Sequence, residues 1–152
     1  MTDISPADER LGPELLALQH AAYAVEARLI QDDRIPPLRE TLADLRIQPL
    51  RWLGVLDEYG VLDAAVAWEE TDAEVDINRL IVHPRAFRRG LGRALVEEVL
   101  ARAGSRGVVV STGRDNTPAR TLYERLGFEL SGEVEVIPGL WVANYRLTLA
   151  RR

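Results

Sequence analysis

A chain of 152 residues, 47% hydrophobic and 28% charged, is sized for one soluble globular domain, 1–152, with a sizeable buried core. It has no cysteine, which excludes disulfides, thiolate metal sites and a cysteine nucleophile and fits a reducing compartment such as the cytoplasm. All 19 basic residues are arginine, so lysine Schiff-base chemistry is also excluded, and a net charge of −5 argues against nucleic-acid binding by the whole surface.

Histidine occurs only at His20 and His83, which gives no metal-site pattern. No apolar run approaches the length of a membrane span, and the opening residues do not read as a leader. Residues 1 to 10 are mostly polar, with Ile4 hinting at a short first strand. From Gly12-Pro13, the spacing of Leu15, Leu16, Ala22, Tyr23 and Leu29 predicts a helix that ends near Gln31, before Asp32-Asp33 and Pro36-Pro37. A shorter helix is expected over Leu38 to Leu45.

The period then changes. Arg51 to Leu56, Val61 to Trp68 and Glu74 to Val82 read as an antiparallel meander, with turns at Asp57–Gly60 and Glu70–Ala73. Strict alternation on the third strand puts Glu74, Asp76, Asn78, Leu80 and Val82 on one face, and Val75, Ile77 and Ile81 on the other.

The stretch from Arg79 to Arg93 carries five arginines (79, 85, 88, 89 and 93) and no acidic residue. It ends in Gly90-Leu91-Gly92 and a helix whose face is Leu91, Ala94, Leu95, Val99, Leu100 and Ala103, stopped by Gly104. N–H groups in a first helical turn lack intrahelical partners, and with the positive end of the helix dipole they form an anion site. Val108 to Ser111 reads as a buried strand, parallel to the third through a right-handed crossover.

Asn116-Thr117-Pro118 opens a further helix, with Thr117 as expected N-cap and Pro118 at the first helical position. Its face is Ala119, Leu122, Tyr123 and Leu126, and Gly127 closes it. Phe128 to Val136, a turn at Pro138-Gly139 and Leu140 to Leu149 form a last hairpin. The expected fold is α+β: a mixed sheet of six or seven strands flanked by about four helices.

Two segments resemble the GNAT superfamily of acyl-CoA-dependent N-acetyltransferases. The first is Leu80-Ile81-Val82-His83-Pro84 followed by Arg88-Arg89-Gly90-Leu91-Gly92-Arg93, similar to that family's pyrophosphate motif, Gln/Arg-x-x-Gly-x-Gly/Ala. The second is Asn116-x-x-Ala119-x-x-Leu122-Tyr123-x-x-Leu126-Gly127-Phe128. Two departures stand out: Phe87 occupies the usual Gln/Arg position, and Arg88 one that is often glycine. Rival readings of the glycines fail, because a dinucleotide fingerprint needs glycine where Leu95 stands and a P-loop needs a lysine.

The resemblance implies a GNAT-like single domain that transfers acetyl from acetyl-CoA to a primary amine of a small molecule or peptide, without a metal, by direct attack in a ternary complex. It implies that backbone N–H groups of Leu80, Ile81 and Val82 hold the pantetheine arm. Arg88, Arg89, Gly90, Leu91, Gly92 and Arg93 hold the pyrophosphate, and Asn116 and Ala119 contact the cofactor. Tyr123 is the implied acid for the departing thiolate. Asp76 is the candidate base, with Glu74 behind it.

The loop after the first helix, with Glu26, Asp32 and Asp33, is the expected acceptor side, its acidity suited to a cationic amine. A homodimer through edge strands is expected, with no nucleic-acid or membrane partner. The competing functional classes are a catalytically degenerate acyl-CoA-binding module and an interaction protein using the arginine loop.

Overall fold

The computed structural model describes residues 1–148. The elements run β1 (Thr2–Ile4), α1 (Leu11–Ile30), α2 (Pro36–Arg39), α3 (Leu42–Ile47), β2 (Arg51–Leu56), β3 (Leu62–Glu70) and β4 (Glu74–Val82). They continue with α4 (Leu91–Ala103), β5 (Gly107–Gly113), α5 (Thr117–Arg125), β6 (Glu129–Ile137) and β7 (Leu140–Leu147). The expected α+β architecture is present, with the sheet at seven strands. The far end of the last strand, expected at Leu149, lies outside the described residues.

The sheet order is β1-β2-β3-β4-β5-β7-β6. Every neighbouring pair is antiparallel except β4 and β5, which α4 connects as a crossover. One face packs against α4 and α5 through Leu53, Val66, Trp68, Val75, Ile77, Leu95, Val99, Val108 and Phe128. The other packs against α1 and α3 through Leu15, Leu18, Leu45, Trp52, Ala65 and Ile81. Burying each large aliphatic side chain contributes roughly 1.5–3 kcal/mol relative to exposure, so these two layers hold the sheet between the helices. Trp52 and Trp68 are core residues, whereas Trp141 is half-buried with the Arg114 guanidinium 4.9 Å from its ring centre.

The single helix expected over 38–45 is two. Glu40 adopts extended φ/ψ and breaks the helix, and Thr41 starts another with a reciprocal capping box to Asp44. The break has a purpose in packing: it turns the Glu40 carboxylate inward onto Arg79, which is 7% exposed. Gln19 and Gln48 each donate to Glu40 and accept from Arg79. A buried charge that is paired and fully hydrogen-bonded is tolerable where an isolated one is not. This knot ties α1 and the α2–α3 turn to the middle of β4.

β4 itself is not a regular strand. Ala67 pairs with Arg79 but Trp68 pairs with Ile77, so Asn78 is an extra, bulged residue. The bulge reverses the alternation. Val75 and Ile77 before it, and Leu80 and Val82 after it, all belong to the α4 face, whereas Arg79 and Ile81 face α1. The expected grouping of Asp76 with Leu80 and Val82 is therefore corrected: Asp76 lies on the opposite face from both.

Candidate active site

The parallel pairing of β4 with β5 runs only from Glu74–Gly107 to Ile77–Val110. Beyond the bulge the strands part, and a cavity of about 950 Å³ opens between Asn78–Val82 and Val110–Gly113. Because His83 donates its N–H to Asp63 on β3, and main-chain groups alternate sides along an antiparallel ladder, the N–H groups of Leu80 and Val82 point away from β3, into the gap. The slot thus carries two main-chain donors that β5 leaves unused. Its lining draws on both layers, with α4 and α5 at one mouth and α1, residues 35–37 and the β6–β7 hairpin at the other.

At the first mouth the chain leaves β4 through a single 3-10 turn, Pro84–Ala86, in which His83 Nδ1 accepts from Arg85 N–H at 3.1 Å. Burial and the adjacent Arg85 charge both lower the His83 imidazole below its ordinary range. Asp63, 2% exposed, then pins the loop: its carboxylate lies 3.1 Å from Arg85 Nε and 3.4 Å from Arg89. Arg85 also donates to the Leu62 carbonyl at 2.8 Å.

Two consecutive turns of the loop use left-handed backbone, Arg88 at φ 66° and Gly90 at φ 72°. Gly90 adopts this conformation without strain and caps α4 with no side-chain bond. Among the described residues, no acceptor meets the backbone N–H groups of Arg88 to Arg93. A Cβ on Gly92 would make only ordinary contacts, 3.5 Å from Leu80 and 3.6 Å from Leu122. Packing alone therefore does not demand glycine at 92; its bareness keeps the turn open to a bulky anion.

The arginine cluster is less available than its sequence suggests. Arg79 is spent on Glu40, Arg89 leans on Asp63 and stands outside the cavity lining, and Arg93 lies 3.6 Å from Glu97. Of the five, Arg88 alone has no carboxylate partner among the described residues. Arg89 therefore stands beside the slot, with its guanidinium about half exposed. Arg88, Arg93, Gly90, Leu91 and Gly92 do line the cavity.

Deeper in the slot, Tyr123 from α5 is 4% exposed, edge-on to Phe128 at 5.6 Å. Burial pushes its phenol well above the ordinary range, and the Glu26 carboxylate adds to the effect. Its hydroxyl has no hydrogen-bond partner among the described residues, unlike Tyr145, which donates to Glu124 at 2.6 Å and accepts from Arg120. Tyr23 from α1 repeats the pattern: it lines the cavity, it is shifted upward by burial and by Glu26, and its hydroxyl is equally unpartnered among the described residues.

Glu26 reaches from α1 to the end of β5, where its Oε1 accepts from Thr112 Oγ1 at 3.1 Å, Gly113 N–H at 3.4 Å and Asn116 Nδ2 at 3.0 Å. Asn116, not Thr117, is the N-cap of α5, accepting the Ala119 N–H at 3.3 Å. With Nδ2 also on Thr112, both of its N–H donors are used, whereas Oδ1 accepts one bond and keeps a second lone pair for an N–H of a cofactor arm. Ala119 lines the cavity beside it.

The remaining expected residues stand apart. Asp76 is exposed, opposite Glu69 on β3, and is not among the cavity-lining residues. Partial screening from water by its neighbours, and the charges of Glu69 and Glu74, raise its carboxyl. Asp32 and Asp33 also lie outside the lining, because the Arg34 guanidinium takes Asp32 at 2.6 Å, holding its carboxyl at about 2, and Arg39 lies 3.7 Å from Asp33. The acidic overhang expected from these two is an internally neutralised turn.

Sequence reasoning passed over Asp63 and Tyr23. Asp63 had one signal, a charged residue inside the run Val61–Trp68; Tyr23 had none, since a tyrosine on an apolar helical stripe reads as core.

A family model described as the Acetyltransferase (GNAT) domain matches residues 51–130, from β2 through the start of β6. The chain belongs to the GNAT acetyltransferases. Among curated relatives, this GNAT chain is 34% identical over 140 residues to UPF0157 protein YqkA of Bacillus subtilis, a match covering 91% of this chain and 40% of that protein. The chain thus spans well under half of that relative's length.

It is 24% identical over 136 residues to the peptidyl-lysine N-acetyltransferase YjaB of Salmonella typhimurium, covering 90% of this chain and 89% of that one. In fold it resembles the ribosomal-protein-S18-alanine N-acetyltransferase of Escherichia coli, with a TM-score of 0.73 at 19% identity over 98% of this chain and 94% of that one. A second fold match, with a TM-score of 0.71 at 20% identity, is to an Acinetobacter baylyi protein described as a putative acetyltransferase, covering 97% of this chain and 91% of that one.

Proposed function

We propose that this domain is an N-acetyltransferase that moves acetyl from acetyl-CoA to a primary amine by direct attack in a ternary complex. The observation that carries the reading is the pairing, across one slot, of unpaired main-chain donors with a buried tyrosine whose hydroxyl has no partner among the described residues. The donor set suits the cofactor. Six N–H groups at an uncapped helix N-terminus match a diphosphate, reinforced by Arg88, and the Leu80 and Val82 N–H groups match an amide-bearing arm laid along β4. Acetyl-CoA supplies the activated thioester.

The chain's residues then have distinct tasks. The Leu80 N–H, aimed into the gap, donates to the thioester oxygen as it takes up negative charge. The bound ammonium first gives up one proton to solvent; the free amine then attacks, the C–N bond forms, the C–S bond breaks and a second nitrogen proton passes to solvent, leaving the amide with one N–H. Tyr123, raised by burial, keeps its proton through neutral pH, donates it as sulfur becomes a thiolate, and recovers one from solvent before the next turnover. No residue needs to carry the acetyl group, in keeping with a chain that has no cysteine.

Tyr123→Phe tests this. Turnover, read as free-thiol release, is expected to fall on the order of 10²-fold, with coenzyme A affinity unchanged. Unchanged turnover removes the role from Tyr123. Binding of coenzyme A with no thiol release by the native protein, for any amine offered, replaces the transferase with an acyl-CoA-binding module.

A further inference from the structure

We infer that the acceptor is a monoamine on an apolar body, its ammonium held by Glu26 Oε2. This rests on the transferase reading and adds the substrate class. Glu26 is the only carboxylate among the described residues that line the cavity. Three donors hold its Oε1, from Thr112, Gly113 and Asn116, which fixes the group at the end of β5. Its Oε2 has no partner among the described residues. A carboxylate anchored through one oxygen and unengaged at the other is preorganised for a cation. The hydroxyls of Tyr23 and Tyr123, both influenced by the Glu26 charge and both unpartnered among the described residues, can accept further N–H bonds from the same ammonium.

The walls around this carboxylate are hydrocarbon. Val25 and Leu29 come from α1, Ile35 from the following loop, and Val136, Leu140 and Val142 from the β6–β7 hairpin. Of the nearby acids, Asp32 is bonded by Arg34 and Glu40 by Arg79, while Asp33 lies 3.7 Å from Arg39 with both side chains exposed, and none of the three lines the cavity. A polyamine or aminoglycoside would therefore bring at least one ammonium against apolar walls without a counter-ion, a costly desolvation. An aralkyl or alkyl monoamine instead buries its body and pairs its one charge. Selection thus combines an attractive site for one cation with a penalty on the second.

The test uses the full chain, acetyl-CoA and thiol release with phenethylamine, hexylamine, spermidine, kanamycin and a lysine-bearing peptide. The two monoamines should exceed the other three in kcat/KM by about tenfold or more, the worth of one hydrogen bond to a charged group. Glu26→Gln should raise the KM for phenethylamine about tenfold or more while coenzyme A affinity stays within about twofold of native. Should that variant fold poorly, Leu29→Asp supplies a second measurement. It places a new carboxylate at the apolar mouth, at a side chain 46% exposed, and should move the ratio of spermidine to hexylamine turnover about tenfold toward spermidine.

Preference for spermidine, kanamycin or the peptide, or an unchanged amine KM in folded Glu26→Gln, overturns the substrate class and leaves the transferase standing. Failure of the native protein to bind coenzyme A overturns both.

Discussion

The two mouths of the slot are built by opposite means. At the α4 mouth the ligand-facing atoms are main-chain N–H groups, and side chains work behind them: Asp63 restrains the loop through Arg85 and Arg89, and Gly90 supplies the turn. At the α1 mouth the ligand-facing atoms belong to side chains: Glu26, Tyr23 and hydrocarbon from three elements. On the transferase reading, backbone donors would meet the cofactor, which stays the same whatever the acceptor, and they tolerate change in the side chains above them. A wall of side chains can be rewritten one residue at a time. The division assigns constancy to one side of the sheet and selectivity to the other.

Substitutions can break or sharpen that contrast. The largest effect is expected where the two halves are tied together. Arg79→Met strands the Glu40 carboxylate and should lower unfolding free energy by about 3–5 kcal/mol in urea titrations, with the Glu40→Met, Arg79→Met double variant recovering much of it. Recovery to no degree would mean that the knot acts through backbone geometry and not through charge.

The same knot sets an acid limit. Burial alone would raise the Glu40 carboxyl, but bonds from Arg79, Gln48 and Gln19 outweigh it and hold it below the ordinary range. The unfolded chain therefore takes up this proton first as pH falls. The stabilisation is complete above the ordinary carboxyl value, about 4.3, and is lost as pH drops through the lower folded value. Thermal melts across pH 2–6 in native protein and in Glu40→Gln should show the native decline to be the steeper.

Next comes Asp63→Asn, which weakens the tether of the loop. Both arginines it holds are about half exposed, so the loss should be about 2 kcal/mol, and coenzyme A affinity should fall while the amine KM stays put. A change confined to the amine side would contradict the assignment of the two mouths. Gly90→Ala, at φ 72°, should cost about 1–2 kcal/mol and likewise weaken only coenzyme A binding. The smallest effect is a gain: Arg88→Gly relieves a left-handed non-glycine residue and should stabilise the fold by about 1 kcal/mol, while removing the one arginine of the cluster left unpaired among the described residues.

The sequence disclosed most of the fold because its signals were local. The meander, the crossover and the closing hairpin each announce themselves through a period of two or 3.6 residues and a glycine stop. Where local signals competed, the reading slipped by one. Asn116 and Thr117 are both good caps, and the helix uses the first. The bulge at Asn78 left a trace, two consecutive polar residues between apolar pairs Val75/Ile77 and Leu80/Val82, which strict alternation ignored. Ion pairs between distant segments left none: Arg79 meets Glu40 across 39 positions, and nothing in either neighbourhood names the other. Asp32 and Asp33 misled for a different reason: their partners Arg34 and Arg39 are near in sequence, but spacing alone does not say whether such arginines pair or face solvent.

A passage through a sheet with an opening on each side permits traffic from two directions. On the proposed reading, in which coenzyme A uses the α4 mouth and the amine the α1 mouth, a compound that joins the two covalently would occupy both openings at once, and its residence should be long even where each half alone binds weakly.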